Sequence, residues 1–537
     1  MMQRLLGAIG RALDALGRTV RGQYVSAVGG PARARVIALF GAVLALSSAD
    51  AATIGSVAPQ LEHALHIGNT KIGLLSTAAL LTGAVFVLPV GFMVDRVKRM
   101  PMLAGSIVLW SISSLVSAFA SSYGTLLLSR LLLGAVTATA GPAIASLTGD
   151  YFPARERGRV YAYILGGEIL GAAVGFIVTG SIASALGWRA AFVLLAIPGF
   201  FLAREIWRTV PEPHRGGMSR LEPGAVSLAE AAAAATAAAD REWSWEEPGG
   251  GEQKEGEGEL AREQAQRRGI KPDPRLVLNE DPRQMGIVAS IKYVLSIPTN
   301  LLMIASSALG YFFLSGLQTF AILFVRGHYH VSQLTAELSL GLLVIGAIIG
   351  TLISGRLTDA MLRRGVLTAR VWVPAACYVG ATAFLIPGIL GTKLTPALWF
   401  DVAGAALIQA ANPPLDAARL DIMPAGLWGR AESTRTLLRS VAQALAPLLF
   451  GGISQLVAGI VPAQTPVGTH ATHAAISSSK QATGLEVTFL IMLVTLAGAG
   501  VFLWMSRRTY PGDVATAAAS HQGTEPLPRS RGSRRRR

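Results

Sequence analysis

One cysteine, Cys377, in 537 residues leaves no disulfide framework and no cysteine-based metal site. Charged side chains make up 15% of the chain, against about 25% in typical soluble domains. No G-x-x-x-x-G-K-[ST] occurs, so ATP hydrolysis is not expected to drive this protein. H-E-x-x-H, G-x-S-x-G and paired-cysteine motifs are missing too, and nothing resembles a selectivity filter. The chain is therefore expected to have no catalytic residues, cofactor or metal, and not to be an enzyme.

What the chain has instead is apolar length. The apolar share is 51% and the mean hydropathy +0.47. Runs of roughly 20 apolar residues, enough to cross a hydrocarbon core, recur along it. Twelve spans are predicted, six in each half. The first six are Val36–Ala58, Ile72–Val94, Met102–Ala120, Tyr123–Thr148, Val160–Leu186 and Ala190–Ala203. The second six are Asn300–Val325, Thr335–Leu357, Val371–Leu390, Pro396–Met423, Thr436–Ala458 and Val487–Met505. The fold class is all-α integral membrane. The net charge of +15 does not point to nucleic acid, because the basic residues sit between apolar segments and at the termini.

The halves repeat. Gly91-x-x-x-Asp95-x-x-x-Arg99 after span two is echoed by Gly355-x-x-x-Asp359-x-x-x-Arg363 after span eight. Asp150-x-x-Pro153-Ala154-x-x-x-Gly158-Arg159 is echoed by Asp421-x-x-Pro424-Ala425-x-x-x-Gly429-Arg430. The offsets are 264 and 271 residues. Internal repeats with interrupted apolar helices are how many secondary transporters are built.

Basic residues fix the expected orientation. Arg96, Lys98 and Arg99, then Arg155 to Arg159, Arg363, Arg364 and Arg370, and Arg430 and Arg435 fall on one side with both termini. That side is expected to be cytoplasmic, at the cell membrane. Residues 1–35 read as a basic, amphipathic segment with Leu5, Leu6, Ile9, Leu13, Leu16 and Val20 at helical spacing, suited to an anionic membrane face. Residues 36–203 and 300–506 are the two six-helix bundles. Residues 204–299 read as a mostly disordered linker with a short helix near Leu228–Asp240, and residues 507–537 as a disordered basic tail.

Twelve spans with Gly91-x-x-x-Asp95-Arg96-x-x-Arg99 after the second resemble the major facilitator superfamily, over nearly all of Val36 to Met505. The resemblance implies two pseudo-symmetric bundles rocking about a central cavity bordered by spans one, four, five and ten. It gives Gly91, Asp95, Arg96 and Arg99, with Gly355, Asp359 and Arg363, a conformational role. The stretch Ala49-Asp50-Ala51-Ala52-Thr53 with Gly73-Leu-Leu-Ser76, and Gly316 to His328 later, resembles the spinster-like lipid transporters, and the first of these also the organic-anion permeases. Two positions depart from that branch: Ala51 stands where an Arg is usual, and Thr137 where an acid is.

Ionisable groups inside a membrane are costly and mark function by default. Asp50, Arg130 and Glu168 lie within spans one, four and five; Asp416 and Arg419 share one face of span ten. Asp50 and Glu168 are the expected proton carriers, since desolvation favours the neutral carboxyl. Arg130 is expected to bind an anionic headgroup or tune a nearby acid. Gln318, Gln409 and Asn412 are expected as neutral cavity groups. Gly167, Gly171 and Gly175, every fourth residue, are expected to pack span five tightly. The expected function is proton-coupled movement of an amphipathic substrate such as a lysophospholipid, another lipid or a hydrophobic drug. The expected partners are membrane lipids, the substrate and protons, with the protein acting as a monomer. Alternatives are a proton-coupled organic-anion permease and a non-transporting membrane scaffold.

Overall fold

A computed structural model describes residues 22–26, 28–152, 154–213, 221, 224–225, 258–278, 285–424, 427–460 and 473–522. The amphipathic stretch from Leu5, the short helix at Leu228–Asp240 and the terminal arginines lie outside these residues. Among the described residues twelve helices are long and apolar enough to cross a membrane, and each predicted span falls on one of them. The chain is a multi-pass membrane protein. It divides into two compact units, Met1–Lys254 and Glu255–Arg537, each holding six spans.

In the first unit, span one (Pro31–Leu65) packs along span five, and span three (Arg99–Ala118) along span six (Trp188–Thr209). Span two (Asn69–Arg96) packs along span four. Small residues make these approaches possible. A Cβ at Gly167, Gly171 or Gly175 would collide with the backbone of Gly41, Ala45 or Ala49 in span one, and one at Gly134 with Ala79 in span two. Gly350 of span eight meets Ala406 of span ten in the same way in the second unit. Without a hydrophobic force between helices in lipid, such contact supplies much of the cohesion. Gly171→Leu should therefore cost at least about 3 kcal/mol, the upper end of overpacking penalties. Heating followed by size-exclusion chromatography should show early loss of the monodisperse peak, while Gly166→Leu, which faces open space, behaves as wild type.

Spans four and ten are interrupted at matching places. Span four runs Tyr123–Thr137, breaks, and resumes as Ala140–Tyr151; span ten runs Leu394–Ala410 and resumes as Asn412–Asp421. Pro142 and Pro413, 271 residues apart, explain both breaks, since each lacks the N–H that would reach the carbonyl four residues back. Span five carries a wide π turn at Gly175–Thr179.

The segments expected to be irregular are partly ordered. Residues 210–213 fold back on the first unit, where the Tyr151 hydroxyl donates to the Pro211 carbonyl. The cause is electrostatic: the Glu212 carboxylate accepts from the first backbone N–H groups of span three, Arg99 at 3.0 Å and Met100 at 2.7 Å. A linker helix, Gly258–Arg267, docks on the second unit through Ala261 and Ala265, both fully buried. Its Arg262 guanidinium donates to the Leu420 and Met423 carbonyls at the end of span ten, each at 3.1 Å. After span twelve, Tyr510–Gln522 is helical where the sequence suggests a disordered tail. That helix is held by a buried Tyr510 and by Asp513, which accepts from the Thr299 backbone N–H at 2.9 Å. Burial pushes the Asp513 carboxyl above the usual carboxylate range.

Candidate functional site

In the first unit the structure brings together Asp50 and Arg130, from spans one and four. They are 2% and 1% exposed. Arg130 Nη1 donates to Asp50 Oδ2 at 3.1 Å, and Nη2 donates to the Ser117 hydroxyl. Ser114 of span three reaches Asp50 Oδ1 at 3.5 Å, and the hydroxyls of Ser117 and Ser129 share a hydrogen at 2.9 Å. The guanidinium lies 4.9 Å from the centre of the Phe192 ring of span six, a cation–π contact. Among the described residues Arg130 Nε has no hydrogen-bond partner. Two opposite charges are thus held in an otherwise apolar bundle by short hydroxyls and one aromatic face. Such a pair repays its desolvation only while both partners stay charged and in place.

Close by lies a cavity of about 30 Å3 lined by Leu46 and Ser47 of span one, Ser106 and Trp110 of span three, and Val136 and Thr137 at the break in span four. A polar seam continues on the other side of span one, where Ser56 and Thr179 exchange a hydrogen bond at 2.7 Å beside the π turn. Glu168, the other predicted proton carrier, lies on span five. It is exposed, about 10 Å along span five from Gly175, the residue that abuts Ala49.

In the second unit Arg419 pairs with Asp416, one turn away, and lies 3.8 Å from Glu432 of span eleven and 3.5 Å from the Ser307 hydroxyl of span seven. Glu432 in turn pairs with Arg435. Asp416 is exposed. Asn412 donates to the Gln409 amide oxygen at 2.8 Å across the break in span ten, and Gln318 is exposed on span seven.

Beside the repeated motif each unit holds a buried ion pair. Arg99, at the start of span three, pairs with Asp150 at the end of span four, and its Nε lies 3.1 Å from Glu212. Arg370, at the start of span nine, grips Asp421 at the end of span ten with Nη1 at 2.6 and 2.7 Å from the two oxygens. Tyr510 also donates to Asp421, and Asp359 is 3.9 Å from Arg370. The counterpart of Arg99 is therefore Arg370, 271 residues on, rather than the exposed Arg363. The connection between spans eight and nine is longer, and the arginine must start span nine to reach Asp421. Gly355 has room, its nearest neighbour being Pro413 at 3.9 Å from a built Cβ. Gly91 and Asp95 lie in the span-two helix with surroundings outside the described residues, and Arg96 is exposed.

Two acids within spans, one buried and one half-buried, escape the sequence reading. Glu337 is fully buried in span eight and accepts from the Gln333 amide at 2.7 Å. Asp401 lies in span ten. The signal for both is the one that marks Asp50: a carboxyl inside an apolar run.

Comparison with known proteins bears on the fold and the family. A solved bacterial homologue of the human lysosomal transporter Spinster superposes with a TM-score of 0.67 at 20% identity, over 90% of this chain and 98% of its own. The 4-hydroxybenzoate transporter PcaK of Pseudomonas putida is 30% identical over 182 residues, 34% of this chain and 40% of the relative. The probable anion transporter 2, chloroplastic, of Oryza sativa subsp. japonica is 29% identical over 180 residues, 33% of each chain. Protein spinster homolog 1 of Homo sapiens is 27% identical over 190 residues, 35% of this chain and 36% of the relative. The matched stretch is thus well under half of these curated relatives' length. The family model of the Major Facilitator Superfamily matches residues 38–447, most of the twelve-span region, and the chain belongs to that superfamily.

Proposed function

We propose that this protein is a proton-coupled secondary transporter that moves an amphipathic substrate with an anionic end, a lysophospholipid or a related lipid, by alternating access of its two six-helix halves. The observation that carries the reading is the buried Asp50–Arg130 pair. With Asp50 ionised, Arg130 is neutralised from within. When Asp50 takes a proton, the guanidinium loses its partner and is left to bind an anion from the substrate. Proton and anionic headgroup thus bind together, and that differential binding can bias one access state over the other. The breaks in spans four and ten give each half a place to bend. The apolar character of the spans, with few neutral polar groups, suits a greasy substrate body. The clustering of Arg on one side supports cytoplasmic termini in a cell membrane.

A second reading, uptake of a small organic anion with protons, is favoured by the likeness to the 4-hydroxybenzoate and anion transporters, with Arg130 and Arg419 as anchors. Thermal protection separates the two. At about 100 times its dissociation constant, a ligand adds about 2.7 kcal/mol of stability. Protection of the purified protein by lysophospholipid and not by a short dicarboxylate is the expected result, and the reverse would replace the first reading by the second.

A further inference from the structure

Asp401 of span ten belongs to neither ion-pair network. It sits seven residues along the helix from Leu394, about 10 Å. Its carboxyl borders a cavity of about 40 Å3 that lies wholly within the second unit. Phe313 and Phe324 of span seven, Leu343 of span eight, Leu385 of span nine and Leu398 of span ten form much of the wall. The other polar lining group is Ser339, whose hydroxyl is already donated to the Thr335 carbonyl at 2.8 Å. The carboxylate rests against the bare backbone of Gly388 in span nine, where a Cβ would collide with Oδ1. Among the described residues Asp401 makes no hydrogen bond and no ion pair.

The surrounding helices bring titratable groups near this level, and each is engaged elsewhere. From span seven, the Tyr329 hydroxyl donates to the Gly388 carbonyl at 2.7 Å, and His328 Nε2 lies 2.8 Å from the Gly391 carbonyl. Glu486 of span twelve is 3.3 Å from His328 Nδ1. Glu337 of span eight takes the Gln333 amide. Lys393 precedes span ten and is exposed, while Cys377 and Tyr378 of span nine lie about 15 Å along that helix from Gly388. Arg326, which follows the wall residue Val325 on span seven, has a partner other than Asp401, so no cation among the described residues neutralises this carboxyl. An isolated charge in such surroundings takes up a proton rather than remain unpaired. The cavity has room for two or three waters and not for an organic ligand. A metal cation would need about six oxygens, and the wall offers one carboxylate and one committed hydroxyl.

We propose that Asp401 is a proton-binding site of the second unit, separate from the Asp50–Arg130 pair and reached through water in the cavity. On binding, the carboxylate takes a proton from water and forms an O–H bond; on release it returns that proton to water. Only the use of this site in coupling rests on the transport reading; the titration stands without it.

The test is infrared difference spectroscopy of the full chain in lipid nanodiscs between about pH 5 and 9, which covers buried carboxyls. The expected result is a protonated-carboxyl band that titrates in wild type, vanishes in Asp401→Asn and survives in Asp50→Asn. A spectrum that Asp401→Asn leaves unchanged overturns the proposal. Gly388→Ala gives a second test should Asp401→Asn fold poorly: its methyl presses on the carboxyl, so the band's midpoint should move, and a fixed midpoint counts against the site. Exchanging sodium for choline should leave the wild-type midpoint in place; a midpoint that follows sodium would make this a metal-cation site instead. Loss of pH-driven transport with the Asp401 band intact would contradict the transport reading and leave this site standing.

Discussion

In proteoliposomes, Asp50→Asn is expected to abolish substrate accumulation driven by a pH gradient, with a fall of more than about tenfold in initial rate. The size follows from the pair it breaks. With no titratable group at position 50, protonation no longer distinguishes the two access states at this pair, so the gradient has nothing to act on. Asn at 50 mimics the protonated acid, so Arg130 stays free for an anion whatever the pH. Substrate exchange without a gradient should therefore persist while gradient-driven accumulation is lost. Arg130→Ala differs: it removes the anion site itself, and both exchange and accumulation should fail. Arg130→Lys keeps charge but loses the planar fork that reaches Asp50 and Ser117 at once, so it should fall between. If Asp50→Asn and Arg130→Ala behaved alike in exchange, the division of labour between acid and base would be wrong.

The second large effect concerns folding. Arg370→Met should lower the melting temperature of the purified protein by about 10 °C. Arg370 and Asp421 are both buried, and among the described residues Asp421 would keep the Tyr510 hydroxyl and the charge of Arg262 without a direct ion pair. The cost is about 3–5 kcal/mol, and a large domain loses about 2–4 °C per kcal/mol. The double variant Arg370→Met with Asp421→Leu should recover part of the loss, since neither charge is then stranded, and the coupling between the two sites should exceed about 0.5 kcal/mol. A melting temperature unchanged in Arg370→Met would mean that the tail helix and the linker helix hold the end of span ten without the ion pair.

Much of this architecture was legible in the sequence, because a membrane makes the same demand on every span. Twelve apolar runs read directly as twelve helices. The glycines at 167, 171 and 175 announced a close helix contact for span five, and the structure supplies its partner, span one. Asp50 and Arg130 stood out singly as charges in apolar runs, but their pairing did not: residues 80 apart in sequence meet only once spans one and four are packed. Glu168 stood out by the same logic and is exposed on span five, because an acid inside a span does not reveal which face of the helix it occupies. The motif repeat pointed to Arg363, since a fixed spacing was read across a connection of different length; the 271-residue offset shared by Asp150 and Asp421 also links Arg99 to Arg370 and Pro142 to Pro413. The docked linker and tail helices were hidden because their buried faces are mostly alanine, Ala261 and Ala265 in one and Ala515, Ala517 and Ala518 in the other, a weak hydrophobic signal, and polar anchors such as Arg262 on the Leu420 carbonyl add none.

The central claim is that protons drive movement of an anionic amphipath through this fold. The most direct measurement is uptake of a labelled lysophospholipid into proteoliposomes bearing wild-type protein, with and without an imposed pH gradient, while a trapped dye records internal pH. Accumulation that follows the gradient, with matching dissipation of the gradient on substrate addition, is the predicted result. Equal movement with and without the gradient, and an internal pH that substrate does not disturb, would contradict it.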